Sequence, residues 1–269
     1  MINKIYRVLK CDGFSLFLIK VIARILRVNI GVQAAKNKAW DILLKKHSYS
    51  VAYGPFSGMK LNENVWWSKN DRITQTLGIY EDHVLKKICL FASQGATKFI
   101  DVGAADGYFA VGVAFSKIYP KVVAFEIEAE GQKRILENAK ANNCEDKLLV
   151  CGEANIELIA RETKDINTTT VLIDIEGAEY DFLGEQMLET LSKSYVICEL
   201  HPWMVEDGSR VQKSLLDRAK VFFNIEVIKR DSYNPNSFPE FDGLTDEERL
   251  IAVGEDRSKN MQWLVCTPK

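Results

Sequence analysis

The sequence is short of the features that assign a protein quickly. Its six cysteines, at 11, 89, 144, 151, 198 and 266, include no C-x-x-C pair and no metal-finger spacing. Those at 151, 198 and 266 lie in apolar runs of strand type, where a free thiol acts as a small hydrophobe, and this usage fits a reducing, cytoplasmic compartment. The histidines, His47, His83 and His201, are too scattered for a zinc cluster. A net charge of -2 argues against nucleic acid as an obligatory partner. No apolar run is long enough for a membrane span. The best candidate, Phe14 to Arg27, is interrupted by Lys20 and Arg24, and no small-residue cleavage site follows it, so a signal peptide is not expected. At 47% hydrophobic and 27% charged, the 269 residues suit one large α/β core with a small appendage.

The organising stretch is Lys98 to Val113, which reads as a buried strand, a glycine turn and a helix in immediate succession. Phe99, Ile100 and Val102 form the apolar run of a strand covered on both faces, with Asp101 near its end. Gly103 and Gly107 bracket the turn and Gly112 lies inside the helix, where it would let the helix sit close to the sheet. A carboxylate at a strand end, then glycines, then a helix N-terminus predicts a nucleotide-type pocket at the carboxyl edge of a parallel sheet. The dinucleotide fingerprint G-x-G-x-x-G is absent, because Ala105 stands where its second glycine belongs. Gly-x-x-x-Gly preceded by Asp101 resembles instead motif I of class I methyltransferases that use S-adenosylmethionine. About twenty residues on, Val122 to Glu126 is a second apolar strand ending in a carboxylate, where Glu126 is placed to accept hydrogen bonds from both ribose hydroxyls.

Leu148 to Cys151 is a third strand, followed by Gly152, Glu153 and Ala154. Its position resembles the acidic turn that meets the adenine amine in such enzymes, although Glu153 equally suits the first turn of a helix. Val171 to Leu183 is a fourth strand and turn in which Asp174, Glu176 and Glu179 crowd around Gly177. Like charges so close require solvation, hydrogen bonds or a neutralising cation or proton. For Glu179 the start of a helix running through Leu183, Met187 and Leu191 suffices; for the other two it does not. Ser194 to Leu200 is a fifth strand, with Glu199 and His201 at its carboxyl end.

The D-I-E-G-A-E run of Asp174 to Glu179, the D-V-G-A-A-D-G run from Asp101 and the later Cys198-Glu-Leu-His-Pro202 together resemble the FkbM family of methyltransferases, over about Tyr53 to Pro202. The resemblance implies a Rossmann-like α/β fold, S-adenosylmethionine as cofactor, and acceptor hydroxyls on sugars or on sugar-containing or polyketide products. It makes Asp101, Gly103 and Gly107 the cofactor turn, with Ala104 and Asp106 beside them. Glu126 with Ile127 becomes the ribose clamp, Glu153 with Ala154 the adenine edge, and Asp174 with Glu176 the acidic wall beside the transferred methyl. One departure is that the family turn commonly reads Gly-Ala-Asn, where this chain has Ala105; either a hydrogen bond is missing or Asp106 replaces it.

Methyl transfer from a sulfonium needs donor and acceptor aligned in line and a proton removed from the alcohol. Asp174, Glu199 and His201, at the tips of the fourth and fifth strands, are the candidate catalytic residues. His201 is either the base or, with Pro202 after it, only a strand cap. The acids offer hard oxygen ligands, but their spacing specifies no cation and no metal is expected.

The flanks carry less information. Up to His47 ten Lys and Arg face two Asp, and Phe14 to Arg27 has a basic and an apolar stripe, so residues 1–50 form a helical appendage. Residues 14–28 pack on the core or on a second subunit of a homo-oligomer, or else lie on the inner membrane face. Tyr53 to Leu61 has turn punctuation, Trp66 to Asp71 reads as an ordered loop, and Arg72 to Phe91 as a helix. Tyr80 and Glu81 either touch the methionine end of a cofactor or are respectively core and solvated helix. Val221 to Ile228 and Gln262 to Cys266 are an antiparallel terminal pair. Between them 230–260, with a helix capped by Thr245 and Glu248, is a lid over a small-molecule or glycan acceptor or an interface loop. The sequence thus predicts a seven-stranded, mostly parallel sheet over 51–269 and an S-adenosylmethionine-dependent O-methyltransferase acting on a sugar hydroxyl. The alternatives are a nicotinamide oxidoreductase on a related sheet and a catalytically silent docking module.

Overall fold

The computed structural model describes residues 30–64, 66, 71–164, 168–255, 257 and 259–269. The amphipathic stretch 14–28, Cys11, Trp67 and Asn70 lie outside them. The chain divides into two compact units: among the described residues, 30–46 with 234–254, and 47–233 with 255–269.

The larger unit carries a seven-stranded sheet in the order β3-β2-β1-β4-β5-β7-β6. Its strands are β1 (Lys98–Val102), β2 (Lys121–Phe125), β3 (Leu148–Cys151), β4 (Thr169–Ile173), β5 (Tyr195–Leu200), β6 (Phe223–Lys229) and β7 (Gln262–Pro268). The first five run parallel; β7 lies antiparallel between β5 and β6, as the terminal pair predicts. The parallel strands are apolar on both faces because helices cover both, and β4, Thr-Thr-Val-Leu-Ile, is buried throughout. Alternate residues feed two cores. Phe99, Leu172, Ile197 and Trp263 enter one; Ile100, Ile173, Cys198 and Leu264 enter the other.

The helices are α2 (Arg72–Leu77), α3 (Asp82–Ser93), α4 (Tyr108–Ser116), α5 (Ala129–Ala141), α6 (Ile156–Thr163), α7 (Glu179–Phe182), α8 (Glu185–Leu191) and α9 (Gly208–Phe222). Two expected helices are broken. Arg72 to Phe91 divides at Gly78, whose φ of +75° closes α2 and where a Cβ would stand 2.1 Å from the Tyr53 carbonyl oxygen. The run from Glu179 divides at Gly184, the cap of α8. Gly112 does admit a close neighbour, but it is the Phe56 ring and not the sheet: a Cβ there would lie 2.5 Å from that ring.

The smaller unit contains α1 (30–47, its last residue falling in the larger unit), two 3-10 turns and α10 (Asp246–Ala252). Thr245 and Glu248 form the expected capping box of α10, and Glu248 also accepts from Lys38 of α1 at 3.0 Å. Lys46 pairs with the buried Glu240 at 3.1 Å. Most of the 230–260 excursion therefore belongs with α1. No described helix is long and apolar enough to cross a membrane.

Candidate functional site

The sheet reverses its direction of growth between β1 and β4, which opens a crevice at their carboxyl ends. Register then aligns the site. Val102 pairs with Phe125 and Ile173, Phe125 with Cys151, and Ile173 with Cys198. One step further on, Gly103, Glu126, Gly152, Asp174 and Glu199 stand in a single row. Gly103, at φ +87°, is where the two turns meet: an added Cβ would come 1.8 Å from the carbonyl oxygen of Asp174, a contact only glycine permits.

The crevice has a cavity volume of about 590 Å³, within the range of small-ligand sites. Asp101, Gly103, Ala104 and Asp106 line it, as do Glu126 with Ile127 and Glu153 with Ala154. Asp174 and Tyr80 face it as well. On the β2 side Glu126 has both carboxylate oxygens engaged. Glu126 Oε2 accepts from the Ala105 N–H at 2.8 Å and Oε1 from the Glu128 N–H at 2.9 Å. Each oxygen keeps a lone pair for a ribose hydroxyl. Ala105 adopts φ +48°, the left-handed region that asparagine tolerates and alanine does not favour. Asp106 Oδ2 accepts from the Trp66 N–H at 3.2 Å.

Four expected site residues do not line the crevice. Gly107 caps α4 at φ +82° and shapes the turn from behind. Glu81 is neither solvated nor at the cavity: it is buried at the start of α3 and ion-paired with Arg257, which also donates to the Tyr80 hydroxyl at 3.1 Å. Glu199 and His201 lie buried beneath Asp174 and Glu176. Sequence reasoning passed over Arg257, which stands in an irregular segment without a motif, and Asp71 and Gln75, which line the crevice from α2 and its cap.

It also misjudged Glu179. This carboxylate is fully buried and ties two strand ends together. One oxygen accepts from the Gly177 N–H at 2.8 Å; the other accepts from the His201 backbone N–H at 2.7 Å and faces His201 Nδ1 at 3.2 Å. A DxEGxE spacing next to a strand end was the available signal, obscured by the ordinary preference of acids for helix starts. Burial would raise the Glu179 carboxyl, but its bonds to His201 outweigh that and hold it below the usual range. Burial would lower His201, but Glu179 and then Asp174 and Glu176 hold it above. Asp174 is pushed up to about 6, chiefly by burial against the pull of His201. Glu199 is pushed far up by burial and by Asp174. Four carboxylates thus surround one imidazole.

A mostly parallel sheet with one reversed strand, β7, a glycine turn after β1 and an acid at the tip of β2 is a Rossmann-like architecture, the fold that class I methyltransferases share. No family model matches the sequence, and no curated protein matches it either. Among solved structures, the cofactor-bound Rv0187 from MTB aligns with 74% of this chain and 87% of its own at 11% identity and a TM-score of 0.49. A candidate O-methyltransferase from Klebsiella pneumoniae aligns over 78% of this chain and 84% of its own, at 9% identity and a TM-score of 0.46. The B. subtilis M1A22 tRNA methyltransferase TrmK aligns over 69% and 65%, at 12% identity and a TM-score of 0.45. These likenesses concern the fold and leave the acceptor open.

Proposed function

We propose that the protein is an S-adenosylmethionine-dependent O-methyltransferase of the FkbM type, acting on a sugar hydroxyl. The observation that carries the reading is the row of strand tips: Glu126 at one end of an adenosine-sized crevice, Glu153 beside it, and Asp174 at the other end. Glu126 binds the ribose, Glu153 and Ala154 flank the adenine, and the sulfonium points toward Asp174, whose negative charge favours it. The leaving group departs as a neutral thioether, so the protein's part is alignment and removal of the hydroxyl proton. Asp174 meets the acceptor directly, while His201 and Glu199 support it from beneath and His201 is oriented by Glu179. A sugar acceptor rests on the resemblance of the Asp174 to Glu179 run. Trp203, part exposed with its ring centroid 5.3 Å from that of His201, offers an aromatic surface of the kind sugar faces pack on.

The test is incubation with isotope-labelled donor and a panel of nucleotide sugars and glycans, read by mass spectrometry. A labelled methyl ether is expected on one sugar class. His201→Ala is expected to bind S-adenosylhomocysteine normally and to turn over at least tenfold more slowly. Full turnover in that variant removes His201 from the mechanism, and a panel without product removes the sugar.

A further inference from the structure

The acids below the crevice are arranged around more than a proton. Asp174, Glu176 and His201 each offer one ligand atom, all within 4.8 Å of one another. His201 Nε2 lies 3.8 Å from Asp174 Oδ1 and 3.6 Å from Glu176 Oε2, beyond hydrogen-bond reach. Atoms bound at about 2.1 Å to a common ion stand roughly 3.0–4.2 Å apart, which includes both separations.

Glu199 points independently to the same place. Its side chain is 1% exposed, and its Oε1 faces the same Nε2 from 3.9 Å. No amide, hydroxyl or cation donates to either of its carboxylate oxygens: the nearest Arg257 nitrogen is 3.8 Å away, and the group within hydrogen-bonding reach is the Asp174 carboxylate. Two carboxyl groups this close and this buried need a shared proton or a cation between them. Asp174 Oδ1 is likewise buried without a partner. On the far side of the ring, Nδ1 faces Glu179, whose carboxylate accepts the ring N–H and leaves the Nε2 lone pair turned toward the three acids. A carboxylate backing one imidazole nitrogen is the arrangement that orients metal-ligating histidines.

We propose that Asp174, Glu176 and Nε2 of His201 bind one divalent cation, closed from below by Glu199. Two carboxylates and an imidazole suit Mn²⁺ better than Mg²⁺, which takes oxygen ligands. The inference rests on the transferase reading and deepens it, since Asp174 is the group the acceptor hydroxyl meets there. Bound to the ion, that hydroxyl loses its proton to crevice water. Its oxygen then bonds the methyl carbon as the carbon–sulfur bond breaks and the thioether leaves. His201 is then a ligand, and water takes the proton.

The full chain, stripped with chelator and titrated with Mn²⁺, is expected to bind one ion per chain by electron paramagnetic resonance, with imidazole-nitrogen modulation in the spin echo. Glu176→Gln, at a side chain 45% exposed, is expected to weaken Mn²⁺ at least tenfold while retaining its melting temperature. Asp174→Asn is a second variant with the same expectation. Absence of stoichiometric binding, absence of nitrogen modulation, or unchanged affinity in both variants overturns the proposal. S-adenosylhomocysteine binding is measured on the same samples. Mn²⁺ bound without it refutes the cofactor reading and keeps the cation; the reverse result refutes the cation alone.

Discussion

The two halves of the crevice are built on opposite principles. On the β1–β2 side the binding surface is mainly backbone. Gly103 and Ala104 N–H groups bond the Phe125 carbonyl at 2.9 and 3.1 Å, and Glu126 accepts from two further amides, so the turn and the acid at the tip of β2 are held by main-chain bonds. On the β4–β5 side it is side chains, with the buried carboxyl groups of Glu199 and Asp174 facing each other beside His201 and no amide or hydroxyl donating to Glu199. A satisfied half holds a shape in advance and suits a rigid nucleoside. An unsatisfied half carries unspent electrostatic interaction, the signature of a group that completes it.

The contrast can be broken at its seam. Gly103→Ala forces a Cβ into the Asp174 carbonyl at a positive φ, and the expected loss is about 4 kcal/mol or failure to fold, measured by chemical denaturation. A loss below about 1 kcal/mol means the two turns do not depend on this contact. Next in size is Glu126→Ala. Removing a charged acceptor of two ribose hydroxyls is expected to weaken S-adenosylhomocysteine about 100-fold in calorimetry and leave the acidic half's Mn²⁺ affinity unchanged. An equal loss of both would mean that the halves are one cooperative unit.

A stability–pH profile sharpens the comparison only once its background is known, and His83 supplies that. Its ring, with centroid 4.1 Å from that of Trp263, is buried without hydrogen-bond partners, and burial lowers its pKa to about 4. The unfolded chain protonates near 6.5 and the folded chain does not, so stability falls as pH drops through this window, by about 2 kcal/mol at pH 5. In His83→Leu that part of the slope is expected to vanish, and an unchanged slope would place its origin elsewhere. The smallest effect is Ala105→Gly. Relief of the left-handed backbone less the entropy of glycine is expected to stabilise by about 0.5–1 kcal/mol, or roughly 2 °C in Tm. A decrease would show that the turn is not strained.

The same contrast explains what was legible in the chain. The strands follow from short buried runs ending in glycine or acid; Gly103 announces itself because a local backbone conformation requires it, and Glu126 and Glu153 because each comes just after an apolar strand. The acidic half is assembled from residues distant in sequence. Glu179 reads as a helix start, yet it is the buried brace of His201, twenty-two positions away. Arg257 has no motif, yet it holds Glu81 and Tyr80. Gly78 ends a helix that periodicity alone continues, because a hydrophobic stripe does not register a close backbone approach, and Gly184 starts α8 as its N-cap inside a stripe that runs on unbroken. The grouping of α1 with 234–254 is a tertiary choice on which neither segment's pattern bears.

The central claim is that the β1–β2 half of the crevice grips an adenosine bearing a sulfonium. Isothermal titration of the full chain with S-adenosylhomocysteine, alongside NAD(H) and NADP(H), tests it most directly. One saturable site for the thioether and none for the dinucleotides is the expected result; dinucleotide binding with no heat from S-adenosylhomocysteine would contradict it.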